Sequence, residues 1–364
     1  MNNTMRYFCY HFKKNIIILI VMIIFCLLIT GLGIHRQYIS IAPHTIEGNT
    51  EKTEQVIRHI FSLNVLPYCM TLMSVTMAAL ELAGFTNKRN IDTWFSFPID
   101  RWKLLLIHAS NGFFYMLISY LASSVCGFVV LNKYRSECHL DMSAYWTAVA
   151  IVFLIGILFY GVCLFAFVNA NNIFDGLVFI VLYSYLPSVI ASVLSACLRH
   201  HTTIESGLLG MLGNCVSKPQ LDMTEEYRRE MYPGMTSAAL NGLSSKVIGE
   251  WFWILTGVLA IAGLVILFTR KKAEKIGGIS DSLFGYRILI PVTSALLILT
   301  TSSIVFSVWK GLMIGLIVFI AYVVFRRGVR LKILDIIVIA VTVVLAMIPY
   351  DYMGELKYIL RFFI

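Results

Sequence analysis

The sequence predicts an all-α fold, a bundle of helices embedded in a membrane, and three observations carry that prediction. Of the 364 residues 59% are hydrophobic and only 13% charged, with a mean hydropathy of +0.80; soluble domains run near roughly 45–50% and 25%. The apolar residues fall in continuous runs, several long enough for a helix to cross the ~30 Å hydrocarbon core. They do not alternate with polar residues, which argues against a barrel, and a helix or a closed barrel is what satisfies its backbone in lipid.

Residues 5–15 set Tyr7, Phe8 and Phe12 among Arg6, His11, Lys13 and Lys14. That pattern predicts a short amphipathic helix on the inner membrane surface, or simply the basic flank of a first span. The first apolar run, 16–34, follows Lys13 and Lys14 as a secretory signal would, yet no small-residue cleavage site follows it, so it reads as an uncleaved anchor. Further spans are predicted over 60–82, 104–131, 145–168, 177–198, 251–269, 288–308, 311–325 and 336–350, about nine in all. The run 311–325 is the shortest, because about 15 residues at 1.5 Å each barely cross. The polar interval 199–250 is broken by Gly207, Gly210, Gly213, Pro219, Pro233 and Gly242, so any helices there are short. A six-span unit over 1–275 and a three-helix C-terminal extension over 276–364 are expected.

Basic residues near span ends set orientation. With the N-terminus inside, the inner segments hold 16 of the 29 Lys and Arg and 7 of the 20 acidic residues. The whole formal charge of +9 then sits on the cytoplasmic face. Topology and anionic lipid account for the basic balance, and no nucleic-acid partner is expected.

Only His108 is ionisable and lies clearly inside an apolar run, near its inner end, so an ion-coupled carrier has little to work with, and His108 reads as an interfacial or hydrogen-bonded structural residue. No phosphate-binding Gly-x-x-x-x-Gly-Lys-Ser/Thr, Gly-x-Ser-x-Gly elbow or His-Glu-x-x-His pair occurs, so no enzyme activity, cofactor or metal is expected from this chain. Cys26, Cys69, Cys126, Cys163 and Cys197 lie in or beside apolar runs and read as packing residues. Cys138 and Cys215 both fall in outer segments, where pairing is open to them, but sequence fixes no connectivity. Small residues recur at helical spacing, Ser119, Ser123 and Gly127 in the third span and Ser188, Ser192 and Ala196 in the fifth, which predicts close helix packing. Pro67 and Pro187 can kink their helices or shape a cavity.

The most specific segment is the inner loop 84–103. Asn90 to Phe95 suits a short helix on which Ile91, Trp94 and Phe95 share a face; Pro98 stops it, and Asp100 can cap the helix beginning at Arg101. Glu81, Lys88, Arg89, Asp92, Ser96, Pro98, Ile99 and Arg101 together resemble the ABC-2-type permease family. There a Glu ends the second span, a basic turn follows, and a Ser/Thr-x-Pro-Ile/Val-x-Arg element leads into the third. A second likeness is the Arg270-Lys-Lys-Ala-Glu274-Lys-Ile-Gly277 run, similar to the end of the sixth span in bacitracin-exporter-like permeases with extra C-terminal helices. The resemblance implies that the loop is a coupling helix fitting a groove on a separate cytoplasmic ATPase, with Trp94 and Phe95 as its docking knob.

On that footing the chain is expected to be the permease subunit of an ATP-binding-cassette exporter in a bacterial plasma membrane. It would act as a dimer with itself or a sister permease. Amphipathic peptides, antibiotics or lipids would suit its uncharged path. The alternative, from another class, is a non-transporting membrane component such as a sensor partner or assembly factor.

Overall fold

A computed structural model describes residues 3–41, 65–87, 96, 99–138, 142–198, 254–269, 276–278, 280, 282, 284–300, 307–326 and 331–347. Among these residues the structure is helical and contains no strand. The helices are α1 (Asn3–Lys14), α2 (Ile16–Ile41), α3 (Val65–Ala83), α4 (Arg101–Cys138), α5 (Met142–Asn169), α6 (Ile173–Leu198), α7 (Ile254–Thr269), α8 (Tyr286–Thr300), α9 (Ser307–Arg326) and α10 (Ile333–Met347). Among the described residues four segments are long and apolar enough to cross a membrane: Ile16–Arg36, Val65–Thr86, Arg101–Lys133 and Tyr145–Asn169.

α1 and α2 meet at Asn15, whose amide still donates to the His11 carbonyl while its own carbonyl accepts from Ile18 and Leu19. One residue thus ends the amphipathic helix and begins the apolar one. α2 divides by face: Leu19, Met22, Cys26, Thr30 and Ile34 are buried, whereas Ile17, Ile20, Val21, Ile24, Leu28 and Leu32 are exposed. An outward stripe of large aliphatic side chains at three- and four-residue spacing would drive aggregation in water. In lipid it is the stable arrangement, because packing and polar contacts between helices hold the bundle there.

α3 is the hub, in contact with α2, α4, α5 and α6. It buries Leu66, Cys69, Met70, Met73 and Met77, and unbranched Met side chains fill the irregular gaps between several neighbours. α5 lies close against it at Gly156, where a Cβ would collide with Met70. α7 approaches α5 in the same manner, Gly257 lying over Leu158 and Gly263 over Phe165. Pro67 sits in the first described turn of α3, and its carbonyl accepts from the Thr71 hydroxyl at 2.8 Å. Pro187 lies in α6, with its side chain outside the described residues.

α8 packs on α6, α9 and α10, and α9 packs along α10. α8 is described over 15 residues with Pro291 inside it, residues 301–306 of the expected 288–308 run lying outside the described residues, while α9 has 20 residues against the 15 expected. Ser307 and Val308 belong to α9, so the hydropathy run joined residues of two helices. Arg326 closes α9 with a two-point ion pair, Nε to Asp335 Oδ2 at 2.8 Å and Nη2 to Oδ1 at 3.0 Å. Asp335 also accepts from the Lys332 amide at the start of α10, so one carboxylate caps a helix and fixes the corner before it.

Candidate functional site

The polar groups of the bundle gather where α1 meets the C-terminal end of α3 and the N-terminal part of α4. On α1, Tyr7 and His11 are one turn apart and face inward, while Met5 and Tyr10 point outward. Glu81 comes from the last turn of α3, and His108 and Asn111 from the second and third turns of α4. Glu81, His108 and His11 are 5%, 1% and 8% exposed, so all three are withdrawn from water.

His108 donates from Nδ1 to Glu81 Oε2 at 2.8 Å, and the Tyr7 hydroxyl lies 3.4 Å from His108 Nε2. His11 Nδ1 is 3.8 Å from the same Glu81 oxygen and takes the Asn111 amide hydrogen at 3.0 Å. The two imidazoles meet edge to face with centroids 4.3 Å apart, and Phe85 closes over His108 at 5.0 Å. Burial, then the neighbouring His108, pulls the His11 imidazole down to about 4, so the ring is neutral at pH 7. Burial likewise raises the Tyr7 hydroxyl, which remains a donor. The ligand atoms of His11, Glu81 and His108 all lie within 4.8 Å of one another.

Around this knot the packing is tight. The Tyr115 hydroxyl holds the Phe12 carbonyl at 2.8 Å and the Tyr160 hydroxyl the Ala109 carbonyl at 3.2 Å. Gly112 sits where a Cβ would collide with the Tyr160 hydroxyl and lie 3.2 Å from Glu81 Cγ, so a side chain there would displace Tyr160 and press on the Glu81 stem.

Of the residues expected to face a partner, Lys88, Arg89, Asp92, Trp94, Phe95 and Pro98 lie outside the described residues. Ser96 and Arg101 are exposed, and Arg101 opens α4 at the expected place. Asp100 and Lys103 pair at 2.5 Å across that first turn. Glu81 is set apart from them by its burial. Ser119, Ser123 and Gly127 form a buried face on α4. Thr30 of α2 meets it, its hydroxyl 2.5 Å from that of Ser123 and 3.5 Å from Cys69 Sγ. Ser188 and Ser192 lie in α6 with side chains outside the described residues, and so does the Cys138–Cys215 pairing. Cys9, Cys26, Cys69, Cys126 and Cys163 are free thiols.

A second polar centre stands at the α5–α6 turn. Asn172 caps α6, its Oδ1 accepting from the Asp175 amide at 2.7 Å. Asp175, itself buried, accepts from the Asn172 side chain at 3.0 Å, the Ser280 amide at 3.0 Å and the Tyr286 hydroxyl at 2.9 Å. The Gly277 amide donates to the Asn171 carbonyl at 2.8 Å, and Gly277 takes φ 77°, which glycine adopts without strain. Neither centre is readable in sequence, because each draws its members from stretches about 100 residues apart.

Outward aliphatic stripes, long apolar helices and a few buried polar knots define an α-helical membrane protein. No protein-family model matches the chain, and no characterised protein or solved structure matches it either.

Proposed function

We propose that the chain is the membrane-spanning permease subunit of an ATP-binding-cassette exporter of the ABC-2 type. It would sit in a bacterial plasma membrane with its N-terminus and the 84–103 loop in the cytoplasm, about nine spans, and a separate ATPase docked below. The supporting observation is the bolting of α1 to the ends of α3 and α4 through His11, Glu81 and His108. α3 and α4 are the two helices that flank the 84–103 loop. A displacement of that loop or of α1 would therefore move two spans as one body, as a machine driven from the cytoplasmic side requires. The substrate path would form between this chain and a second permease, the same or a sister chain.

The docking claim is tested by co-purification of the ATPase. An aromatic anchor at an interface commonly contributes about 2 kcal/mol, and about 1.4 kcal/mol is tenfold in affinity. Trp94→Ala with Phe95→Ala should therefore weaken ATPase retention at least about tenfold while the permease still folds. Unchanged retention would remove the docking role.

The buried knot favours a second reading, coupling to a proton or cation gradient, since titratable groups withdrawn into a membrane bundle are what such carriers use. Efflux from vesicles separates the two. The exporter reading expects efflux to need ATP and to survive an ionophore that collapses ion gradients. Efflux that continues without ATP and stops with the ionophore would establish the carrier instead.

A further inference from the structure

We propose that His11, Glu81 and His108 bind one divalent transition-metal ion, through an imidazole nitrogen of each histidine and a carboxylate oxygen of Glu81. The ion would clamp α1 onto α3 and α4. The proposal stands apart from the transport reading, because it concerns what the knot binds and not what crosses the membrane.

Geometry comes first. Zinc bonds of about 2.0–2.2 Å in a tetrahedral site set neighbouring ligand atoms roughly 3.3–3.6 Å apart. Here the ligand atoms lie within 4.8 Å of one another, with His108 at 2.8 Å and His11 at 3.8 Å from Glu81 Oε2. The first contact would open and the second close by a few tenths of an ångström. Three ligands on three separate helices converge without any backbone having to move far, and the fourth position is left for water.

Charge is the second argument. A buried carboxylate is costly without a counter-charge. Among the described residues the ion pairs of Glu81 are with His11 and His108 alone, and no Lys or Arg pairs with it. A divalent ion would supply that counter-charge; His108 passes to the tautomer with its proton on Nε2, facing the Tyr7 oxygen, so that Nδ1 offers a lone pair and the ring stays neutral, and any proton held by Glu81 leaves to solvent. Two imidazoles and one carboxylate suit zinc or ferrous iron and are a poor set for magnesium or calcium.

The surroundings supply the third argument. Ligating histidines are usually oriented by a hydrogen bond to their other nitrogen; the Tyr7 hydroxyl lies at His108 Nε2, away from Glu81, whereas the Asn111 amide holds His11 Nδ1 itself and would give that nitrogen up to the ion. The other end of the Asn111 amide, Oδ1, is buried with no hydrogen-bond partner. An ion-bound water would donate to it.

The test uses the full-length chain, purified without a histidine tag, stripped with a chelator, and dialysed against zinc, cobalt(II) or, anaerobically, ferrous iron. One equivalent of zinc or of iron retained after desalting, with visible ligand-field bands in the cobalt form, is the expected result. Outer-shell changes at metal sites cost about 10–100-fold in affinity, so Asn111→Leu should fall in that range and His11→Ala should lose at least about 100-fold. Magnesium in millimolar excess should not compete. Retention of well under one equivalent by the wild-type chain would overturn the proposal whatever the variants do. Equal retention by His11→Ala would overturn it too, by showing that other histidines hold the metal.

Discussion

Asp175 accepts hydrogen bonds from the Asn172 side chain, the Ser280 amide and the Tyr286 hydroxyl, and so ties the chain beyond residue 276 to the α5–α6 turn. Removing an acceptor from a buried donor costs about 1–3 kcal/mol for each group left unmatched. Asp175→Ala should destabilise this junction by about 2–5 kcal/mol, and Asp175→Asn, which keeps one acceptor oxygen, by less. The measurement is the rate of limited proteolysis between residues 270 and 285 in the detergent-solubilised chain, expected to rise in the order wild type, Asn, Ala. Equal rates would show that α8 holds on to α6 without this carboxylate. In the sequence Asp175 is one of seven acidic residues that the expected topology assigns to the inner side, and it carries no signal of its own. Its partners are 105 and 111 residues away, and only the fold brings them together. The same holds for His11, which reads as part of a basic flank until Glu81 and His108 are placed beside it.

At the scale of helices the sequence is far more legible, because hydropathy and helical spacing are local properties. The runs expected at 16–34, 104–131, 145–168 and 177–198 lie inside α2, α4, α5 and α6, each helix continuing for several residues beyond its run. The boundary that differs is the end of 288–308: Ser307 and Val308 belong to α9, and an apolar run does not show where a new helix starts. The small-residue face of α4 was visible from spacing; its partner was not, since Ser119, Ser123 and Gly127 do not say which helix lies against them. The structure sets Thr30 of α2 there, with Gly127 so placed that a Cβ would lie 3.4 Å from Thr30 Cγ2. Ser123→Leu should therefore overpack the α2–α4 seam and break the Thr30 hydrogen bond, for a loss of about 1–3 kcal/mol. Reversible unfolding in mixed detergent micelles would read this. Stability within error of wild type would mean that the seam has slack that the distances do not suggest.

For the molecule as a whole, the proposed orientation, with the N-terminus in the cytoplasm, rests on the charge distribution and is open to a direct test. A single cysteine placed at position 88 in an otherwise cysteine-free chain should resist a membrane-impermeant maleimide in intact cells, while cysteines within 199–250 should react. Efficient labelling of position 88 from outside would invert the topology and with it the proposed ATPase contact. The union of α1 with α3 and α4 also bears on how the protein is made. His11 leaves the ribosome about 100 residues before Asn111, with which it pairs. At roughly 5–20 residues per second, α1 spends on the order of 5–20 s in the nascent chain before its dock exists. During that interval its buried face, with Tyr7, Phe12 and a neutral His11, has only the lipid surface or a chaperone to cover it. Insertion of α4 is then the event that recruits the N-terminus, and assembly of this end of the bundle runs in the reverse of chain order.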